Sequence, residues 1–237
     1  MVKDNINYEK WAEKERKWWK NFDQEIADEK DKEYSSLLQS TKALFGDKIK
    51  SFDDLEFVST KDFLRNMDSY TKLINEYPDK AGANYGLESI LENRTDLTYE
   101  QCCQLFLLLD KSSNGFTNMR GYVANLIIDK LDKSKSEDFL DFMDKLKNDG
   151  IDRFILILGL KKIDKKYRPR VIEILRRDAV KLTNINTAAK AARSMKAVEL
   201  LPEFNKILPK IKNSEVKREV KKTIESLEIY TSKINQK

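Results

Sequence analysis

The stretch Ala188-Ala189-Lys190-Ala191-Ala192-Arg193-Ser194-Met195 decides how this chain is read, because its pattern returns 32 residues later as Val220-Lys221-Lys222-Thr223-Ile224-Glu225-Ser226-Leu227. The same step upstream gives Leu156-Ile157-Leu158-Gly159-Leu160-Lys161-Lys162-Ile163, and one step further gives Ala124 to Leu131. Apolar residues hold three positions in every copy: Ala124, Leu156, Ala188 and Val220; Ile128, Leu160, Ala192 and Ile224; Leu131, Ile163, Met195 and Leu227. Offsets of four and then three residues put these positions on one face of a helix. A second helix follows in three copies, in a register set by Leu140, Ile172 and Phe204 together with Met143, Leu175 and Ile207. One such helix pair cannot bury its apolar faces alone, whereas stacked copies at a constant offset share a continuous core.

Composition agrees with an all-α chain. Of 237 residues, 40% are hydrophobic and 36% charged, with seven Gly and four Pro, so turn and breaker residues are scarce and helices joined by short polar loops are expected. No run approaches the roughly 18 apolar residues of a membrane span, and charge begins at Lys3 and Asp4, so the chain reads as cytoplasmic with no membrane partner. There is no histidine, which removes the usual general base and the commonest zinc ligand. The two cysteines, Cys102 and Cys103, are neighbours in sequence and cannot close a stabilising loop. A vicinal redox pair or a soft-metal clip is conceivable, but inside the apolar run to Leu109 both read as core residues.

Upstream of the repeats the pattern is helical without a strict period. Trp11, Trp18, Phe22 and Ile26 share one face of a segment dense in Lys and Glu, and Gly46 marks a stop. That face either docks on a partner or packs against the next helices. Ser59 or Thr60 caps a helix to about Tyr77 with Phe63, Met67, Tyr70 and Ile74 inward, and Pro78 ends it. A helix near Ala83 to Asn93 follows. Thr98 and Gln101 form a capping-box pattern before the most apolar helix, which ends near Leu109. Lys111 to Asn118 is the clearest loop. The expected organisation is a charged N-terminal segment over 1–50 and a helical stack over 51–237, strictly repetitive over 118–230.

The stretch Ala191 to Leu227, with Lys196-Ala197-Val198, Leu200-Leu201-Pro202, Ile207-Leu208 and Ser214-Glu215-Val216-Lys217-Arg218-Glu219-Val220, resembles a HEAT repeat. The period of about 32 is similar to the compact HEAT-like repeats of bacterial proteins. The resemblance implies a right-handed α-solenoid of antiparallel helix pairs, with the second helices of successive pairs lining a concave binding surface. It carries fold information and little functional information.

Charge is uneven along the chain. Ile151 to Lys237 holds 22 Lys and Arg against 10 Asp and Glu, or +12; subtraction from totals of 45 and 40 leaves 23 against 30, or −7, for Met1 to Gly150. With Ile155–Ile163, Thr187–Met195 and Val216–Leu227 taken as the inner row, Lys190 and Lys222 occupy equivalent positions, as do Lys161 and Arg193, with Lys162, Lys217, Arg218 and Lys221 nearby. Two readings attach to these residues. They form an electropositive groove for an acidic protein face or a phosphate backbone, or they are solvated positions partly paired with Glu219 and Glu225. A second basic group, Lys165, Lys166, Arg168, Arg170, Arg176, Arg177 and Lys181, straddles a turn and an outer helix, with Arg170, Arg177 and Lys181 on one face. Tyr167 is the only obvious stacking partner there, which speaks against a single-strand binder.

No Gly-rich phosphate loop, paired-cysteine metal pattern or nucleophile elbow occurs, so no cofactor and no metal are called for. The sequence points to a non-catalytic protein-binding scaffold, adaptor or inhibitor, of which an immunity-type antitoxin is one form, acting on another protein with an acidic surface. The alternatives are a nucleic-acid-binding HEAT-like protein, with an alkylated-base DNA glycosylase as a minor subset, and an assembly subunit docking through the N-terminal helix. Glu199, Glu203, Glu215, Glu219, Glu225 and Glu228, interspersed among the cations, favour a protein over DNA because carboxylates repel phosphates.

Overall fold

The computed structural model describes residues 34–76, 87, 89–91, 96–109, 119–146 and 153–235. The Trp11–Trp18–Phe22–Ile26 stripe and the Lys111 to Asn118 loop lie outside them. Among the described residues every regular element is helical and there is no strand. No helix among them is long and apolar enough to cross a membrane. The chain divides into two compact units, Met1–Arg94 and Thr95–Lys237.

The first unit is built on α1 (34–45) and α2 (Thr60–Glu76). Gly46, at φ 97°, adopts the left-handed turn that only glycine takes without steric cost, and its N–H donates to Lys42 O at 2.7 Å to close α1. Ser59 caps α2: its Oγ accepts from Asp62 N at 3.1 Å. The α2 face predicted from spacing is the one that is buried, with Phe63, Met67, Tyr70 and Ile74 all in the core. The two helices are tied by Asn66 Nδ2, which donates to Leu44 O at 3.1 Å, and by the edge-on packing of Phe45 against Tyr70 at 5.2 Å.

The second unit opens with α3 (Tyr99–Leu108). Its capping box is complete: Gln101 N donates to Thr98 Oγ1 at 3.3 Å and Thr98 N donates to Gln101 Oε1 at 2.8 Å. Cys102 is buried and Cys103 half-buried, and burial pushes their thiols up to about 11 and about 12, so both stay protonated and unreactive at neutral pH. There follow α4 (Met119–Lys130), α5 (Ser136–Lys145), α6 (Phe154–Ile157, continued as a 3-10 turn over Leu158–Lys162), α7 (Arg168–Ala179), α8 (Ile185–Met195), α9 (Leu201–Ile207) and α10 (Ser214–Asn235).

These helices pack in two successions. The helices α4, α6, α8 and α10 lie each against the next, α5, α7 and α9 do likewise, and α7 on α8 and α9 on α10 join the two rows. The 32-residue register supplies the core: Leu156, Leu160, Ala188, Ala192, Val220, Leu227, Leu140, Leu175 and Phe204 are all buried. Only Ile128 and Met195 of the repeat positions are half-buried.

The helix expected over 155–163 is α-helical only to Ile157. Gly159 lies within the tightened stretch. A Cβ at that position would sit 2.9 Å from Phe139 Cζ and 3.2 Å from Ile128 Cγ1, so the backbone there comes closer to its neighbours than a side chain allows.

The turn before each second-row helix also recurs. Asp132 Oδ1 accepts from Ser134 N at 2.7 Å, and 32 residues on Asp164 Oδ1 accepts from Lys166 N at 3.0 Å, each capping a 3-10 turn that leads into α5 or α7. At the third copy the equivalent residue is Lys196, and its backbone is left-handed, at φ 52° and ψ 47°.

Candidate functional site

The two basic groups have different fates. The arginines on the second row are bound up in ion pairs between successive copies. Arg168 Nε and Nη2 grip Glu199 at 3.0 Å each, while Nη1 and Nη2 reach Met195 O and Lys196 O at 3.3 and 3.2 Å. Arg170 and Arg177, seven residues apart on one face of α7, both reach Asp144, at 2.6 and 2.7 Å. Arg176 Nε lies 2.6 Å from Glu203 Oε1. Lys181 falls beyond the end of α7, so it does not extend that face.

Burial works to raise the Asp144 carboxyl, but the hydrogen bonds from Arg170 and Arg177 outweigh it and hold the group below its ordinary range. The same balance lowers Glu199 beside Arg168. This cluster is a set of braces between copies.

The first-row cations are largely exposed. Lys161, Lys190, Arg218, Lys221 and Lys222 face solvent, and Lys217 is half-buried. Two of the predicted group are engaged. Lys162 Nζ donates to Ile128 O at 2.6 Å, joining its own copy to the preceding one, and Arg193 Nη1 pairs with Glu219 Oε1 at 2.5 Å. The helices α8 and α10 pack directly on each other, so Lys190 and Lys222, at equivalent positions, belong to neighbouring helices of one row.

Beyond these, a groove of about 710 Å³ opens between the end of α8 and the C-terminal half of α10. Its cations are Arg193, Lys196 and Lys233; its apolar surface comes from Leu227, Ile229, Tyr230 and Ile234. Lys196 Nζ lies over the Tyr230 ring at 4.7 Å. Among the described residues no acidic side chain lines it.

Sequence reasoning missed this groove and two buried cations. Arg153 pairs with Asp178 at 3.0 Å, both side chains fully buried, with Asn184 Nδ2 donating to the second Asp178 oxygen at 3.0 Å. Arg120 lies over the Phe106 ring at 4.2 Å and donates to Phe106 O at 3.2 Å, fixing α4 on α3. Asp178 had a signal: it follows Val171, Ile172 and Leu175 on the inward stripe of α7, where a carboxylate needs a cation. Among the described residues no group of three or more His, Cys, Asp or Glu is arranged to hold a metal ion.

Compared with family models, curated proteins and solved structures, the chain finds no match.

Proposed function

We propose that this chain is a HEAT-like, right-handed α-solenoid of antiparallel helix pairs that binds another protein through the exposed surface of its first helix row, recognising an acidic face without catalysis. The supporting observation is the division of the cations. The second-row arginines are neutralised by Asp144, Glu199 and Glu203, whereas Lys190 and Lys222 are exposed and have no carboxylate within 4 Å among the described residues. A sparse row of free lysines, with exposed Glu215, Glu225 and Glu228 between, suits a mixed protein surface better than a continuous phosphate backbone. The reading covers an adaptor or an inhibitor, immunity-type antitoxins included, since each needs one rigid face.

The test compares the parent with a Lys190→Glu, Lys221→Glu, Lys222→Glu variant; Arg193 is left in place because it holds Glu219. Labelled duplex and single-stranded DNA are titrated at several salt concentrations, and nuclease-treated host lysate is passed over both proteins. Weak DNA binding that disappears with modest salt, with a protein retained by the parent and lost by the variant, supports the reading. Tight DNA binding near physiological salt, abolished by the three changes and falling with a log–log slope near −0.9 per phosphate, replaces it with the nucleic-acid reading.

A further inference from the structure

The groove at the end of α8 has an apolar floor. The helix α10 is 22 residues long and α8 only 11. The buried residues of α10 are Val220, Thr223, Ile224 and Leu227, so the final two turns of α10 run on without a core contact. Along those turns Ile229 is 58% and Ile234 50% exposed. Isolated exposed aliphatics are ordinary; two of them beside Tyr230 in a concave surface mark a place for an apolar side chain.

Lys196 is the second observation. Its counterparts Asp132 and Asp164 cap the next turn with their carboxylates. Lys196 breaks that rule: it ends α8 in the left-handed conformation, its N–H reaching Ala192 O and Arg193 O, a position where glycine or asparagine is much less strained. The substitution puts a cation where the pattern has an anion, and holds it over Tyr230. With Lys233 it gives the groove two cations beside the Glu219-paired Arg193, and among the described residues no carboxylate lines it. Glu225 and Glu228, exposed on α10, are not among its lining residues.

We propose that this groove receives a short acidic amphipathic helix of a partner protein, its apolar side chains lying on Ile229, Tyr230 and Ile234 and its carboxylates meeting Lys196 and Lys233. The inference rests on the protein-binding reading and names the part of the surface that carries specificity. A cleft between two helices accepts a third in the helix-in-groove manner, where anchors at i, i+3 or i+4 and i+7 lie along the floor. The cations on the rim select acidic helices and fix their direction.

The experiment selects a displayed library of random peptides, about 16 residues or some four helical turns long, on the immobilised full chain. Selected sequences are then measured by fluorescence anisotropy on the parent and three variants: Lys196→Glu with Lys233→Glu; Ile229→Ser with Ile234→Ser; and Lys190→Glu with Lys222→Glu outside the groove. Circular dichroism checks that each keeps its helices. The expected result is acidic peptides with one apolar helical face, whose affinity falls about tenfold or more, a decade per 1.4 kcal/mol, with either groove variant and within about twofold with the third.

Acidic peptides that weaken with the Lys190 and Lys222 changes and ignore both groove variants overturn the groove and leave the protein-binding reading standing. Basic or uncharged peptides, or no enrichment at all, overturn the inference. If DNA is also held tightly near physiological salt, the protein-binding reading falls with it.

Discussion

Arg153 and Asp178 lie 25 residues apart in sequence, yet their side chains meet at 3.0 Å with no solvent exposure on either. The pair joins the start of α6 to the end of α7, and Arg153 Nη1 also donates to Leu146 O at 3.2 Å. Arg153→Met leaves a buried carboxylate with Asn184 alone, which costs about 3–5 kcal/mol. Replacing both residues, Arg153→Met with Asp178→Leu, costs far less because no charge is stranded. Urea unfolding of the two singles and the double gives the coupling energy. Additive losses would falsify this account of the pair.

Gly159 has no room for a side chain. Gly159→Ala brings a methyl to 2.9 Å from the Phe139 ring and 3.3 Å from Leu131 Cδ2, and overpacking of this kind costs about 1–3 kcal/mol despite alanine's higher helix propensity. A lower denaturation midpoint with unchanged m-value is the expected result. An equally stable or more stable variant means that α5 and α6 are not so tightly apposed.

The braces on Asp144 make stability depend on acid. Arg170 and Arg177 hold its carboxyl below the ordinary value, so the folded state binds this proton less readily than the unfolded chain. Its contribution is present above the unfolded value of about 3.9 and is lost as pH falls through and below that value toward the lowered folded one. Asp144→Asn therefore flattens the acid limb of the stability profile. With Asp144 38% exposed, solvent screening keeps the effect within about 1 kcal/mol. Parallel acid limbs for parent and variant count against the brace.

Lys196→Gly separates strain from use. Glycine removes the left-handed penalty of about 1–2 kcal/mol and loses a cation–π contact worth about 0.5–1 kcal/mol at an exposed site. The variant is expected to unfold at slightly higher denaturant while binding acidic peptides more weakly. Lower stability, with peptide binding intact, shows that the lysine serves the fold alone.

Much of the helical pattern was open to inspection in the sequence because it is local. The α2 face, the Thr98–Gln101 box and the stop at Gly46 each depend on neighbours within about two turns, and the buried register through Leu160, Ala192 and Ile224 shows because the same local stripe returns every 32 residues. The partners of Arg168, Arg170 and Arg176 were not legible, since an arginine on one copy finds its carboxylate only once the neighbouring helices are known. For the candidate surface, spacing identified Lys190 and Lys222 but not that Arg193 and Lys162 are engaged. The groove left one trace, the change from Asp132 and Asp164 to Lys196 at a fixed step.

The braces also set how far the chain must search to fold. From Arg170–Asp144 at 26 residues to Arg177–Asp144 at 33, the second-row braces connect one copy to the next. Closing a loop of that length has an entropy cost that changes little from one link to another. Assembly can therefore advance copy by copy from any formed pair, like a zipper, without waiting for a contact across the whole unit.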